Sequence, residues 1–364
     1  MLSVVVAVLL TVATQCSSLR ARISSQSILA RGSRHWGEPF LKSTELGAVA
    51  IGGEESTSSN AYAPALTTAA KAKTVLNPFL ERLTRPVNPG KVSLHIKGKV
   101  LNMWGIVYAL SCLVFATIVL PFMVVASACI DMFASEAYRK RRTALDWVIH
   151  VWAKLVLLST GCNPTLYGAE NLPPKGEAVI YVPNHTSFMD ILTLSGFVPR
   201  PFKYLSKEEI VKIPVIGYAM KLARHVFLKR NDLESTIQVT NNVIEKLQDK
   251  NGMVLFAEGT RSKDGVLKSF KKGAFQMAKE AKVRIVPVSI GNLHRFMPPS
   301  ALMPIAPLRN IYVKIHEPID TDNKKVSELR AETWEAVNSG LPPYQQGVPS
   351  KRQLKQANAE NAGT

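Results

Sequence analysis

The chain has 364 residues, with 45 Lys and Arg against 27 Asp and Glu and a formal net charge of +18. This length suits one sizeable α/β domain with appendages and excludes three ordinary domains. Its four cysteines show neither paired nor C-x-x-C spacing, which argues against a disulfide framework and a zinc site. Because zinc-finger, RNP and basic-zipper motifs are also missing from the sequence, the charge favours an anionic membrane surface or an anionic substrate over nucleic acid.

The first 37 residues have the composition of a targeting segment. Residues 1–16 contain an apolar run that resembles the core of a signal peptide, although no basic segment precedes it. Residues 17–37 are rich in Ser and Arg and contain no acidic residue, which is typical of a transit peptide. We therefore expect passage through a secretory membrane and import into a plastid, with the mature chain beginning after Trp36. Anchoring at the endoplasmic reticulum is the alternative.

Residues 38–96 are predicted to be a flexible linker, because Ser, Thr, Ala and Pro dominate much of this segment without sustained periodicity. Residues 97–160 are predicted to be membrane-anchoring helices. Residues 101–130 carry no charge and are long enough to span a bilayer, with Pro121 expected to kink the helix or form a re-entrant bend. A buried helix of a soluble core is the alternative. Residues 143–158 are predicted to form a second apolar helix, suited to lying at an interface.

Residues 164–340 alternate short apolar runs with helical patterns, which predicts an α/β domain with a mostly parallel sheet flanked by helices. Ligands of such sheets usually lie at the carboxyl ends of the strands. Helices are expected at residues 232–250 and 270–282, and Pro287 indicates a bulge or bend rather than a central hydrogen-bonded position. Residues 341–364 are polar and are predicted to be a disordered tail. The predicted strands are AVIYV, FKYL, HVFL, MVLF, VRIVPVSI and IYVKIHEPI.

The run IYVPNHTSFMDILTL joins a strand to a helix and places His185 five residues before Asp190. On one regular helix, these side chains would face directions about 140° apart. If residues 178–182 form a strand and Ser187 caps the next helix, the loop can turn His185 back over the first helical turn. Asp190 can then orient one imidazole nitrogen, which is how a general base is built. Alternatively, Ser187 and Asp190 form only a capping box.

Two further loops follow predicted strands and carry groups suited to a phosphate. The loop after MVLF contains Glu258, Gly259, Thr260 and Arg261. Gly259 allows close approach of the backbone to a ligand, and Arg261 offers a planar fork of donors. An ordinary turn with a solvated Arg is the alternative. Lys229 and Arg230 follow HVFL and could also hold a phosphate, although a solvated charged pair is the commoner arrangement.

Taken in order, these segments resemble the four blocks of the 1-acylglycerol-3-phosphate acyltransferase family. The blocks here read NHTSFMD, VFLKR, FAEGTRS with FKKGAF after it, and IVPVSI. The resemblance extends over residues 172–319 and includes KIPVIGYAM between two blocks and FMPP after the last. Ala257 stands where the third block commonly has Pro, and Lys229 and Arg230 stand where the second commonly has Asp-Arg. These departures bear on loop rigidity and on acceptor preference.

The resemblance implies the glycerolipid acyltransferase fold and an enzyme that acylates lysophosphatidic acid at the sn-2 hydroxyl, giving phosphatidic acid. The acyl donor would be acyl-CoA or an acyl carrier protein, and the enzyme would work in contact with membrane lipid. The resemblance implies no metal, cofactor or nucleic acid. His185 would take the hydroxyl proton as the hydroxyl attacks the thioester, with Asp190 orienting and supporting the imidazolium. Arg261, the Gly259 backbone, Lys229 and Arg230 would hold the acceptor phosphate.

Three alternatives remain at this point. Another lysophospholipid acyltransferase or a glycerol-3-phosphate acyltransferase would carry the same blocks. A hydrolase that uses His185 and Asp190 as metal ligands lacks a third ligand at metal-site spacing in the sequence. A non-catalytic lipid-binding membrane protein gives no reason for the two residues to occur together.

Overall fold

The computed structural model describes residues 93–96, 98–213, 215–229 and 233–348. The predicted targeting segment, most of the predicted linker and Arg230 lie outside these described residues.

The described chain begins with an antiparallel hairpin of β1 (Ser93–Ile96) and β2 (Lys99–Asn102). The prediction of an unstructured linker up to residue 96 is therefore wrong at its end, and the predicted anchor begins with a strand. Val100 also forms a parallel bridge with Ala301, so the hairpin is held by a loop about two hundred residues further along the chain. The sequence carries no local signal for that distant partner.

Helix α1 (Met103–Phe133) has 31 residues and is long and apolar enough to cross a membrane. Asn102 caps it, because its side-chain oxygen accepts the Gly105 N–H at 3.0 Å, while its amide donates to Ile305 O at 2.7 Å. The helix continues through Pro121, so the predicted re-entrant bend is wrong. Most large apolar side chains on its outer face are exposed, among them Leu110, Leu113, Val114 and Ile118.

Helices α2 (Glu136–Arg141) and α3 (Thr143–Ser159) follow α1. The sequence predicts that α3 lies at an interface. The structure shows that only one face of this helix is exposed. Leu145 and Ala153 are fully buried, whereas Trp147 is exposed. One face of α3 therefore belongs to the core of the domain.

Seven strands of the described chain form the main sheet: β3 (Thr165–Tyr167), β4 (Val179–Pro183), β5 (Phe202–Lys207), β6 (Val226–Leu228), β7 (Gly252–Val254), β8 (Arg284–Gly291) and β9 (Tyr312–Ile315). Their order is β3-β9-β8-β4-β7-β5-β6. Strands β4 to β8 are mutually parallel, β9 is antiparallel to β8, and β3 is parallel to β9. The predicted mostly parallel sheet flanked by helices is confirmed.

Helices cover both faces of this sheet. They are α4 (Met189–Phe197), α5 (Ile216–Leu222), α6 (Leu233–Gln248), α7 (Gly273–Glu280), α8 (Leu293–Phe296) and α9 (Val326–Ser339), with 3₁₀ turns at Ala169–Asn171, Glu208–Lys212 and Pro343–Gln345. In α6, Val239, Val243 and Leu247 recur every four residues and are buried, which is the pattern of an amphipathic helix. The helix predicted at residues 232–250 is confirmed at nearly its full length, whereas the one predicted at 270–282 is confirmed only over Gly273–Glu280.

The central strand β4 divides the apolar core into two layers. Val179 and Tyr181 pack in the layer that contains residues of α3 and α4, whereas Ile180 and Val182 pack in the layer of α6, α7 and α9. Successive side chains of a strand point to opposite faces, so an uninterrupted apolar run is what a strand covered on both faces requires. The carboxyl end of β4, where His185 follows, lies at the centre of the sheet.

The expectation that Pro287 avoids a central strand is wrong, because its strand β8 pairs with both β4 and β9. The predicted bulge is present, however. The antiparallel register places Val288 opposite Ile315 but Ile285 opposite Ile319, so the partner strand carries one extra residue beside Pro287. A bulge at this point removes the need for a ladder hydrogen bond from the proline nitrogen.

Two buried cations fix the N-terminal helices to the domain. Lys203 of β5 donates to both carboxylate oxygens of Asp146 in α3, at 2.7 and 2.8 Å. Arg142, between α2 and α3, donates to Ser127 Oγ of α1 at 2.6 Å and to Leu222 O of α5 at 3.0 Å. These bonds join elements that are distant in sequence.

The prediction of a disordered tail is wrong for residues 341–348. Gln345 is buried, its backbone oxygen accepts the Leu267 N–H at 2.8 Å, and its side-chain oxygen accepts the Asn292 N–H at 2.8 Å. Gln345 thus supplies hydrogen-bond acceptors for the loop at Leu267 and for the turn after β8 at Asn292. Residues 349–364 lie outside the described residues.

Candidate active site

The loop after β4 brings His185 and Asp190 together. Asp190 Oδ2 lies 2.8 Å from His185 Nδ1 and also accepts the backbone N–H groups of Thr186, at 2.8 Å, and Ser187, at 2.9 Å. Asp190 is fully buried. One carboxylate oxygen therefore satisfies two loop amides and also orients the imidazole, so Asp190 does more than a capping residue alone would do.

The helix after this loop begins later than predicted. It starts at Met189, with Phe188 at the N-cap position, so Ser187 is not the capping residue by position. The Ser187 hydroxyl instead accepts the Met189 N–H at 3.2 Å and donates to Met297 O at 3.0 Å. The serine thus joins the loop to the segment after α8.

The imidazole of His185 is held on two sides. Its ring stacks on Phe256, with centroids 3.9 Å apart and planes 25° apart, and its side chain is 16% exposed. A carboxylate can only accept, so Nδ1 carries the proton in the bond to Asp190, and Nε2 carries the lone pair. Within the described residues Nε2 makes no hydrogen bond. This tautomer and partial exposure suit a general base.

The loop after β7 reaches the same place because β7 is the sheet neighbour of β4. Glu258 Oε1 accepts the His185 N–H at 2.6 Å, and Oε2 accepts the Lys268 N–H at 3.2 Å. Ser262 N–H donates to His185 O at 2.8 Å. Burial raises the pKa of the Glu258 carboxyl to about 8, against the opposing effect of the two N–H bonds. Glu258 therefore joins the loop after β4, through the His185 N–H, to the later part of its own loop, through the Lys268 N–H.

The other residues of this loop face outward. Gly259 has a φ of +74°, a backbone conformation that side chains with a Cβ rarely adopt. Thr260 is exposed, and Arg261 is half-buried. Among the described residues, the Arg261 guanidinium has no hydrogen bond or ion pair, whereas its carbonyl oxygen accepts from Lys268 Nζ at 3.4 Å. Within the described residues, the guanidinium is thus available to an anion.

Lys229 occupies a different part of the sheet edge. It is exposed and follows β6, the edge strand, which is three strand positions from β4. At the usual spacing between strands this is about 14 Å. The sheet therefore brings His185, Asp190 and the 258–261 loop together but leaves Lys229 to the side, and Arg230 lies outside the described residues.

An apolar groove that the sequence did not indicate opens beside the first helical turn of α4. Its empty space is about 750 Å³, including the part open to solvent, and its walls come from α1, α3, α4 and α5. Phe188 and Ile191, which flank Asp190, line it together with Ala116 and Trp152. Because four separate helices build the groove, only their packing could reveal it.

Comparison with known protein families decides the identity of the domain. Residues 163–291, which contain His185, Asp190 and the 258–261 loop, match the family model described as Acyltransferase. These residues form an acyltransferase domain. The resemblance found in the sequence is thereby confirmed, and the chain extends on both sides of the matched residues.

Curated relatives share this acyltransferase domain. A 1-acyl-sn-glycerol-3-phosphate acyltransferase of Chlamydomonas reinhardtii is 36% identical over 56% of this chain and 60% of its own length. The chloroplastic 1-acyl-sn-glycerol-3-phosphate acyltransferase LPAT1 of Arabidopsis thaliana is 33% identical over 64% of each chain. The chain therefore spans less than two thirds of the length of these relatives.

A solved structure has the same acyltransferase fold. The crystal structure of the 1-acyl-sn-glycerophosphate acyltransferase PlsC from Thermotoga maritima matches with a TM-score of 0.55 and 28% sequence identity, over 71% of this chain and 95% of that chain. Among the described residues, no group of three or more His, Cys, Asp and Glu side chains is placed to hold a metal ion.

Proposed function

We propose that this protein transfers an acyl chain from an acyl thioester to the sn-2 hydroxyl of lysophosphatidic acid, giving phosphatidic acid for glycerolipid synthesis. The observation that carries the proposal is the bond of 2.8 Å between His185 Nδ1 and the buried Asp190, whose loop is bonded through the Ser262 N–H and His185 O to the loop that carries Arg261. A base and a phosphate-binding group side by side suit an acceptor that carries both a hydroxyl and a phosphate. The names of the relatives support the same substrate class.

In the proposed reaction the acceptor hydroxyl approaches His185 Nε2, the nitrogen that carries the lone pair. His185 takes the hydroxyl proton as the oxygen attacks the thioester carbonyl, and the buried Asp190 carboxylate stabilises the imidazolium. The tetrahedral intermediate then collapses, the C–S bond breaks, and the imidazolium returns the proton to the thiolate. The acceptor attacks directly, so the reaction needs no Ser or Cys nucleophile.

The loop residues would bind the acceptor phosphate. Arg261 and the Gly259 backbone belong to the loop that is bonded to the His185 backbone, and Glu258 would act by holding the His185 and Lys268 backbones rather than by touching substrate. Lys229 and Arg230 are also proposed to bind the acceptor phosphate, with Lys229 reaching it from the edge strand, farther from His185 than the 258–261 loop. Thr260 is exposed on the same loop, which supports its role as a further ligand of the acceptor.

The apolar groove would take the acyl chain. It begins at Phe188 and Ile191, close to the proposed base, and continues between α1 and α3. Transfer of each buried CH₂ group from water contributes about 0.8 kcal/mol, so a groove of this kind favours long acyl chains over short ones. The donor itself, acyl-CoA or an acyl carrier protein, is to be identified by assay.

The test is product analysis with the purified full chain. The protein would be incubated with lysophosphatidic acid, glycerol-3-phosphate or lysophosphatidylcholine and with each donor, and the products identified by mass. Phosphatidic acid as the main product supports the proposal. Lysophosphatidic acid or phosphatidylcholine as the main product would favour the other acyltransferase activities, and no transfer from any thioester would favour a lipid-binding protein. Activity that survives chelation excludes a metal-dependent hydrolase.

We expect Arg261→Ala to weaken acceptor binding chiefly. A charge-assisted hydrogen bond contributes roughly 1.5 to 3 kcal/mol, so the KM for lysophosphatidic acid should rise about tenfold to a hundredfold at constant kcat. Steady-state kinetics with the acceptor varied measures this. Arg261→Lys keeps the charge but loses the planar fork of donors. Its KM for lysophosphatidic acid should lie between that of the unmodified protein and that of Arg261→Ala. A change in the donor KM alone would contradict this role.

The protein is proposed to act at a plastid membrane. The acid-free Ser/Arg stretch before Glu38 and two relatives named as chloroplastic, from Arabidopsis thaliana and Brassica napus, favour the plastid. The exposed apolar face of α1 suits contact with lipid. We expect a fluorescent protein fused after residue 100 to label chloroplasts. Labelling of the endoplasmic reticulum without chloroplast signal would instead favour the alternative location.

A further inference from the structure

Lys271 lies on the exposed side of the proposed phosphate-binding loop, although it comes twelve residues after Gly259. An added Cβ at Gly259 would lie 2.9 Å from both Lys271 Cε and Lys271 Nζ. The missing side chain at residue 259 therefore makes room for the ammonium group of Lys271. The Lys271 backbone is fixed there, because its N–H donates to Ala257 O at 2.8 Å.

The acidic side chains near this loop do not neutralise Lys271. Glu258 is buried, and both of its oxygens are bound to backbone N–H groups. Asp264 accepts the Ser262 hydroxyl at 2.7 Å and the Val266 N–H at 3.2 Å. The charge of Lys268 acts to lower the pKa of both of these carboxyl groups. Among the described residues, neither Arg261 nor Lys271 has a carboxylate within ion-pair distance.

We infer that Lys271 is the second cation of the acceptor phosphate site and makes it selective for phosphate monoesters over phosphate diesters. This inference rests on the proposed function for the identity of the site. A phosphate monoester carries a charge of about −1.5 to −2 at pH 7, whereas a diester carries a single charge. Two unpaired cations on one loop match the monoester, while Arg261 alone would match a diester equally well.

The test compares lysophosphatidic acid, a monoester, with lysophosphatidylglycerol, a diester of the same acyl chain. Equilibrium binding of each lipid in detergent micelles to the full-length protein would be measured by calorimetry, without a donor. Lys271→Met should raise the Kd for lysophosphatidic acid about tenfold or more, as loss of a charge-assisted bond implies, and raise that for lysophosphatidylglycerol much less. Lys271→Arg should restore the preference.

Lys272→Met is the matched control, because Lys272 is exposed, adjacent in sequence, and makes no side-chain cap at the start of α7. It should change both Kd values by no more than about twofold. Equal thermal unfolding midpoints of the two Met variants would show that folding is preserved. Unchanged lysophosphatidic acid binding in Lys271→Met, an equal loss for both lipids, or no binding by the unmodified protein would overturn the inference.

The same proteins separate this inference from the proposed function. With lysophosphatidic acid and a donor, Lys271→Met should raise the acceptor KM and leave kcat unchanged. A protein that binds the monoester through Lys271 but forms no phosphatidic acid would refute the proposed function and leave the binding site standing. A protein that forms phosphatidic acid with the same KM in Lys271→Met and Lys272→Met would refute only the role of Lys271.

Discussion

His185→Ala should reduce acyl transfer to lysophosphatidic acid by about 10²- to 10⁴-fold, the usual contribution of a positioned general base. The lost group is the Nε2 lone pair, and no other side chain bonded to Asp190 can replace it. The substitution should lower kcat rather than raise KM, because the hydroxyl proton is transferred in the transition state and not when the acceptor binds. Release of the donor thiol, followed with excess acceptor, measures this rate.

Folding should survive this substitution, since the backbone of residue 185, and not its ring, bonds to Glu258 and Ser262. His95→Ala is the control, because His95 is an exposed histidine of β1, which belongs to the separate two-stranded hairpin and not to the main sheet. It should leave the rate unchanged. A His185→Ala protein that retained a rate within tenfold of the original would disprove the general-base role.

Asp190→Asn is expected to lower kcat by about two to three orders of magnitude while leaving the loop intact. Oδ2 accepts all three hydrogen bonds, and Oδ1 has no partner among the described residues. An Asn carbonyl oxygen can take the place of Oδ2, with its amide at the Oδ1 position. The geometry is then kept, and only the negative charge facing the imidazolium is lost.

Asp190→Ala is the comparison that separates charge from geometry. It removes the acceptor of the Thr186 and Ser187 N–H groups as well, and leaving buried donors unpaired costs about 1 to 3 kcal/mol each. Its thermal unfolding midpoint should therefore fall well below that of Asp190→Asn. If Asp190→Asn kept full activity, orientation alone would explain the role of Asp190, and the electrostatic part of the mechanism would be wrong.

The contact between His185 and Asp190 could be predicted because it is local. Five residues across a join between strand and helix leave few conformations, and both a capping role and an orienting role lead to the same carboxylate position. The alternation of apolar runs and helical patterns likewise predicts a mostly parallel sheet from local information. Each of these conclusions needs only the residues of one segment and its neighbours.

The parts that the sequence did not predict depend on pairing between distant segments. Glu258 can bond to the His185 backbone only because β7 lies beside β4, and Lys229 is remote from His185 because β6 is the edge strand. Strand order cannot be read from the residues of a single strand. The apolar groove and the packing of Gln345 have the same origin, since each depends on elements far apart in the chain.

The bond between Lys203 and Asp146 determines where the protein can be divided. The family match begins at residue 163, which suggests a catalytic fragment without the three N-terminal helices. Such a fragment would break the buried ion pair by removing Asp146, the partner of the Lys203 ammonium in α3, and would uncover the apolar residues that α3 packs against. An uncompensated buried charge of this kind costs about 3 to 5 kcal/mol, a large share of the 5 to 15 kcal/mol that usually stabilises a domain. We therefore expect the smallest independently folding unit of this protein to include α3, so that shortening the chain for crystallisation or soluble expression should stop before Thr143.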